Sequence, residues 1–263
     1  MTSVSSTTTQ TFTAKVATPT TRLVGAMAIV SLAWVVMGGL FITPKDVDQG
    51  DAVRIMYVHV PTAWVAYLAF IVTAIASACW LLSRKHAMGF DRVAGASAEV
   101  GVIFMAMTLL SGSLWGRITW GSYWAWDPRL TTTSFLLVTY IGYLAVRGLG
   151  GSLEQRARRS AVIALLAVLE IPLVHFSVLM WRSLHQEASV LSGDGDIKMD
   201  GSMLTTLLVG VIGFTCTFVW LVMHRQRVLA MQDAMQSSQL DAALRERADE
   251  STTINTNKSN ELI

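Results

Sequence analysis

The chain has 263 residues, a formal net charge of +2, 52% hydrophobic and 14% charged residues, and a mean hydropathy of +0.49. Soluble domains carry about a quarter of their residues charged, so this composition excludes an ordinary soluble fold and points to an integral membrane protein. The small net charge, without a basic stripe interleaved with aromatics, excludes nucleic acid as a partner.

Residues 1–21 are rich in Ser and Thr, with Lys15 the only charge before Arg22. They lack the basic start, short apolar core and cleavage site of a signal peptide, and read as a disordered N-terminal tail. Six apolar stretches follow, at about 23–42, 62–82, 94–114, 132–147, 160–180 and 203–223. Each is near the roughly 20 residues that a helix needs to cross hydrocarbon. The fourth is short and could begin near Leu130. Backbone polar groups in lipid must pair within their own segment, so the predicted fold is an all-α polytopic bundle of six transmembrane helices, over 22–225. Cys79 and Cys216 lie inside apolar stretches and form neither CxxC nor CxxCH. They read as small core residues, not as a redox pair or a covalent haem attachment site.

Lys and Arg orient the bundle. With the N-terminus inside, the inner segments hold Lys15, Arg22, Arg84, Lys85, Arg92, Arg147, Arg156, Arg158, Arg159, Arg225, Arg227, Arg245, Arg247 and Lys258. The outer segments hold Lys45, Arg54, Arg117, Arg129, Arg182 and Lys198. Fourteen against six places both termini in the cytoplasm. The outer loops are then about 43–61, 115–131 and 181–202, the last with a turn-forming SGDGD tract and Asp194, Asp196 and Asp200. The C-terminal tail, 226–263, opens with an amphipathic stretch that suits a short inner helix and ends polar and disordered. Glu99 and Glu170 lie inside apolar stretches, where an acid either lines a path or is a neutral, hydrogen-bonded structural group. Pro172 predicts a kink close to Glu170.

The middle outer loop reads WGRITWGSYWAWDPRLT, with Trp115, Trp120, Trp124 and Trp126 interleaved with Gly116, Gly121, Asp127, Pro128 and Arg129. An interfacial aromatic belt places one or two such residues at a helix end. Four in one loop, beside glycines that admit a close backbone approach, suit a planar aromatic ligand. Both readings stand on the residues alone.

The segment WGSYWAWDPRLT resembles the WGxxWxWDxRLT signature of the tryptophan-rich haem-handling proteins of cytochrome c biogenesis. Trp120, Gly121, Trp124, Trp126, Asp127, Arg129, Leu130 and Thr131 fall on its positions without a departure. Size and span number make the chain similar to the small members, the haem exporter protein C (cytochrome c maturation protein C) family, over roughly 22–225. The resemblance implies haem b held at the outer face of a bacterial inner membrane and passed to a periplasmic haem chaperone. It also implies ABC transporter subunits with a separate ATPase, and a small single-span membrane subunit, as partners. The chain itself has no GxxxxGK[ST] nucleotide loop, and haem presentation is not enzymatic in the usual sense.

Haem iron takes axial ligands, often His. His86 and His224 fall on the inner side, while His59 closes the first outer loop and His185 opens the third. The resemblance implies ligation by these two, with Trp115, Trp120, Gly121, Trp124, Trp126 and Asp127 around the macrocycle. His175, within the fifth stretch, reads as a polar helix-packing group. Arg54, Arg117, Arg129 and Arg182 are the outer arginines available to the propionates, unless Arg129 pairs with Asp127. Two rival functions remain: a transmembrane subunit of a haem-exporting ABC transporter, its path lined by Glu99 and Glu170, or a b-type cytochrome membrane anchor with ligands inside facing spans.

Overall fold

The computed structural model describes residues 18–185 and 199–260, the last nine by their backbone. Lys15, Lys198, Asp194, Asp196 and the SGDGD tract lie outside the described residues. The described residues form seven α-helices: α1 Pro19–Met37, α2 Met56–Leu82, α3 Met88–Thr119, α4 Pro128–Arg147, α5 Leu153–Ala167, α6 Glu170–Met180 and α7 Gly201–Asn260. With α5 and α6 counted as one, six helices are long and apolar enough to cross a membrane. The expected all-helical bundle of six spans is the observed one.

Local chemistry sets three of the seven helix starts. Thr18 and Ser152 close capping boxes with Thr21 and Gln155. Asp127 caps α4 with Pro128 in its first turn, where a missing N–H costs nothing. The break between α5 and α6 falls at Val168 and Leu169, as the predicted kink suggested. Pro172 has no N–H to give the Val168 carbonyl four residues before it.

Several helices extend beyond the apolar stretches, and three of these differences move named residues. α2 starts at Met56 instead of 62, after a 3₁₀ turn Asp51–Ile55. His59 is therefore a helix residue and not the end of a loop. α3 runs through Thr119, which puts Trp115 on a helix and shortens the tryptophan loop from 115–131 to 120–127. α7 continues unbroken to Asn260, where a separate short helix was expected. The reason is common to all three. Hydropathy marks only the part of a helix that crosses hydrocarbon, and polar residues that end an apolar stretch do not end a helix.

α2 and α3 form the centre, with 50% and 56% of their spanning residues buried against 22% for α1 and α4. Phe70 of α2 stacks on Tyr140 of α4 at 3.6 Å, and the Tyr140 hydroxyl donates to the Phe70 carbonyl. α1 lies against α7 through small residues, with Gly213 at Ser31 and Gly25 under the Trp220 ring. At the end away from the tryptophan loop, Asp91 receives Arg147 through two side-chain bonds of 2.6 and 2.7 Å and Arg156 at 2.9 Å. Asp233 of α7 takes Arg156 at 3.0 Å and Arg92 at 2.9 Å. Both aspartates are buried, so this network ties α3, α4, α5 and α7 together. Nearby, Arg225 pairs with Glu99, while Glu170 accepts from Thr139 at 2.9 Å. The two acids thus serve separate contacts, α3 with α7 and α4 with α6.

Candidate functional site

Four helix ends meet at the tryptophan-loop end: the start of α2, the last turns of α3, the start of α4, and residues 181–185 after α6. They surround a cavity lined by Gln49, Gly112, Trp115, Gly116, Thr119, Trp120, Leu184 and His185. His185 lines this cavity, and a second imidazole, His59, lies against it. His59 and His185 have ring centres 6.5 Å apart, tilted by 35°. Trp115 stands edge-on to His59 at 5.7 Å and Trp120 edge-on to His185 at 6.2 Å. Each histidine therefore has one indole beside it, Trp120 from the signature and Trp115 from the last turns of α3.

α3 makes this packing possible with two glycines one turn apart. A Cβ on Gly112 would lie 2.8 Å from His59 Cε1, and one on Gly116 would lie 3.0 Å from Trp120 Cε3. Rings thus lie directly on helix backbone, which no larger residue permits. Trp115 is fixed by its indole N–H, which donates to the Gln49 side chain at 2.8 Å.

Asp127 connects the loop to the segment bearing His185. Its Oδ2 accepts from the Ser183 hydroxyl and the Leu184 amide, each at 2.7 Å, and its Oδ1 from the Arg129 amide at 2.9 Å. Burial pushes this carboxyl up. The bonds from Ser183, Leu184, Arg129 and Leu130 outweigh it and hold the carboxyl below its ordinary range. The Arg129 guanidinium turns away from Asp127. It reaches His185 Nδ1 at 3.3 Å and the His175 carbonyl at 3.0 Å.

Other motif residues lie elsewhere. Trp124 and Trp126 pair edge-to-face at 5.7 Å, away from the histidines, with Trp126 84% exposed. Trp126 borders a shallow groove with Pro128, Arg182 and Leu184. Gly121 sits at a φ of 78°, in the left-handed region that favours glycine, and its carbonyl is bound by Arg117. Arg54 bonds the Gly39 carbonyl and pairs with Asp51 at 3.0 Å. Among the remaining histidines, His175 packs its ring on Phe176, His86 on Trp80 and His224 on Trp220.

The fit to haem can be tested on the imidazoles. Two histidines that share one metal through bonds of about 2 Å have ring centres about 6 Å apart, which the observed pair matches. A neighbouring cavity bounded by two indoles and two glycines suits an apolar macrocycle. Residues 3–241 match the family described as Heme exporter protein C.

The chain belongs to that family. It is 39% identical over 204 residues to the Heme exporter protein C of Bradyrhizobium diazoefficiens, covering 78% of this chain and 76% of that protein. With the Haemophilus influenzae protein of the same name it shares 32% identity, over 79% of this chain and 84% of the relative. A Marchantia polymorpha protein named as a ccmC-like mitochondrial protein of cytochrome c biosynthesis is 32% identical, over 78% and 82%. Family membership and the six apolar helices make this a multi-pass membrane protein.

For this member of the Heme exporter protein C family, sequence reasoning missed Gln49, Gly112 and Ser183. The Gly112–Gly116 spacing of four was a usable signal once α3 is known to reach Thr119. Nothing local marks Gln49 or Ser183, whose partners lie 66 and 56 residues away in the chain.

Proposed function

We propose that the chain binds haem b between His59 and His185 at the periplasmic face of a bacterial inner membrane. From there it delivers haem to a periplasmic haem chaperone during cytochrome c maturation. The approach of these two imidazoles to 6.5 Å, beside a cavity with Trp115 and Trp120, is the observation that carries this reading. The names of the relatives support a haem-handling role in cytochrome c biogenesis. The excess of Lys and Arg in the opposite loops supports the periplasmic side and cytoplasmic termini.

The chain's own residues hold and orient. His59 and His185 supply axial nitrogens, and Trp115 and Trp120 supply apolar surface. Arg54, Arg117 and Arg129 each hold a backbone carbonyl, which favours Arg182 as the first partner of a propionate, with Arg129 beside the same segment. Trp126, exposed beside Arg182, offers the surface from which haem leaves for the chaperone. Residues 22–225 form the haem-handling unit, working with ABC transporter subunits, their separate ATPase and a small single-span subunit. The channel reading is less favoured, because Glu99 and Glu170 are each engaged in a different helix contact.

The test is the haem absorption of the purified full chain with His59→Ala or His185→Ala. Each substitution is expected to change the axial-ligand spectrum. Wild-type spectra and content in both variants would refute the assignment.

A further inference from the structure

The two imidazoles are held in opposite ways. His59 stands on a 27-residue helix, and its Nδ1 lies 3.1 Å from the Thr108 carbonyl and 3.1 Å from Ser111 Oγ. The Ser111 hydroxyl has its own acceptors, the Met107 carbonyl at 2.8 Å and the Thr108 carbonyl at 3.2 Å. A hydroxyl has one hydrogen to give, so Ser111 turns a lone pair to the ring. Facing two acceptors, Nδ1 carries the proton, and Nε2 carries the lone pair that a metal needs. Gly112 leaves the ring just enough room, since a methyl there would lie 2.8 Å from Cε1.

His185 lies outside any helix, four residues after Trp181 caps α6. Its Nδ1 faces Arg129 Nη1 at 3.3 Å. A guanidinium only donates, so here Nδ1 is the acceptor, and the neutral ring carries its proton on Nε2. For either nitrogen of His185 to ligate, Arg129 must first give up this contact. Arg129 has a second hold, the His175 carbonyl at 3.0 Å, and a buried Nε without a partner. It therefore remains anchored when the His185 contact opens.

We infer that the axial pair is unequal: His59 is the resident ligand, with Ser111 and Gly112 as its positioning residues, and His185 is the exchangeable ligand, governed by Arg129. This rests on haem ligation by the pair as proposed above. At the start of handover His185 would release the iron and the lone pair of an incoming neutral nitrogen donor would take its place, while His59 would still hold it. No electrons would be transferred, and the haem would leave only when the His59 bond is broken in turn.

The experiment uses the full chain, purified in detergent and loaded with ferric haem. It follows haem loss to excess apo-globin, the absorption spectrum, and cyanide binding at the exchangeable position. His185→Ala is expected to keep its haem, five-coordinate, and lose it within a few-fold of the wild-type rate. His59→Ala is expected to lose haem at least about tenfold faster. Ser111→Ala and Gly112→Ala disturb the His59 ring from two directions and raise haem loss about tenfold, the usual effect of removing a ligand's outer-shell partner. Ser111→Thr, which keeps the hydroxyl, restores the wild-type rate and spectrum. Arg129→Met frees His185 to bind, and so weakens cyanide binding about tenfold, as loss of one charged hydrogen bond implies. Equal haem loss from His59→Ala and His185→Ala, or wild-type behaviour of both Ser111→Ala and Gly112→Ala, would overturn the inequality and leave ligation by the pair standing. Unchanged haem in both histidine variants would overturn ligation itself, and the inequality with it.

Discussion

Asp127 does its work as a strap. It accepts from Ser183, Leu184 and Arg129, so one carboxylate caps α4 and fixes the segment that carries His185. Asp127→Ala leaves three donors without their acceptor and removes a helix cap, a loss of about 2–4 kcal/mol. A lower thermal midpoint and a lower haem content in detergent are the expected results. The folded-state pKa is depressed, so the stabilisation is complete above the ordinary Asp value of about 4 and fades as pH falls through the lower folded one. The difference in midpoint between wild type and Asp127→Asn is thus expected to stay constant from pH 7 to about 5. It then shrinks towards pH 3, which parallel thermal melts would check. The motif makes Asp127 conspicuous in the sequence. Its role was not legible there, because Ser183 and Leu184 are 56 and 57 residues on.

The helices place the chemistry by their lengths. α3 reaches from Asp91 at one end to Trp115 at the other, so a single rigid rod carries both the buried ion network and one wall of the cavity at the tryptophan-loop end. Gly95 lets the Arg147 guanidinium cross α3, since a Cβ there would lie 2.5 Å from Nε. Gly95→Ala and Arg147→Leu are both expected to take Arg147 from the buried Asp91 carboxylate and leave it with Arg156 alone. Loss of one partner of a buried ion pair costs up to about 3–5 kcal/mol, and the remaining Arg156 contact offsets part of it. Equilibrium unfolding of each variant and of the double variant should show strongly non-additive losses, because both changes remove the same contact. That helices exist, and that Pro172 breaks the fifth, was readable from hydropathy and proline chemistry. Where α2 and α3 end was not, because those ends are set by packing beyond the hydrocarbon.

The whole molecule has two chemically distinct ends. Site residues collect at the tryptophan-loop end and the ion network at the other, with α2 and α3 running between them. In a Cys79→Ala/Cys216→Ala background, single cysteines at Arg182 and Gln49 are expected to label from the periplasmic side and one at Lys85 from the cytoplasm. Labelling of Arg182 and Lys85 positions from the same side would invert the proposed topology. The number of spans, the all-helical class and the family were available in the linear chain, because they depend on properties counted within one segment: apolar length, internally paired backbone, and a contiguous aromatic motif. Which indoles meet the histidines, and which residues hold those histidines, arose only on packing. Trp115 and Trp120 face the imidazoles while Trp124 and Trp126 turn away, although all four fall within twelve residues. Helix phase and the docking of residues 181–185 on Asp127 decide that outcome, through contacts between segments that local sequence does not encode.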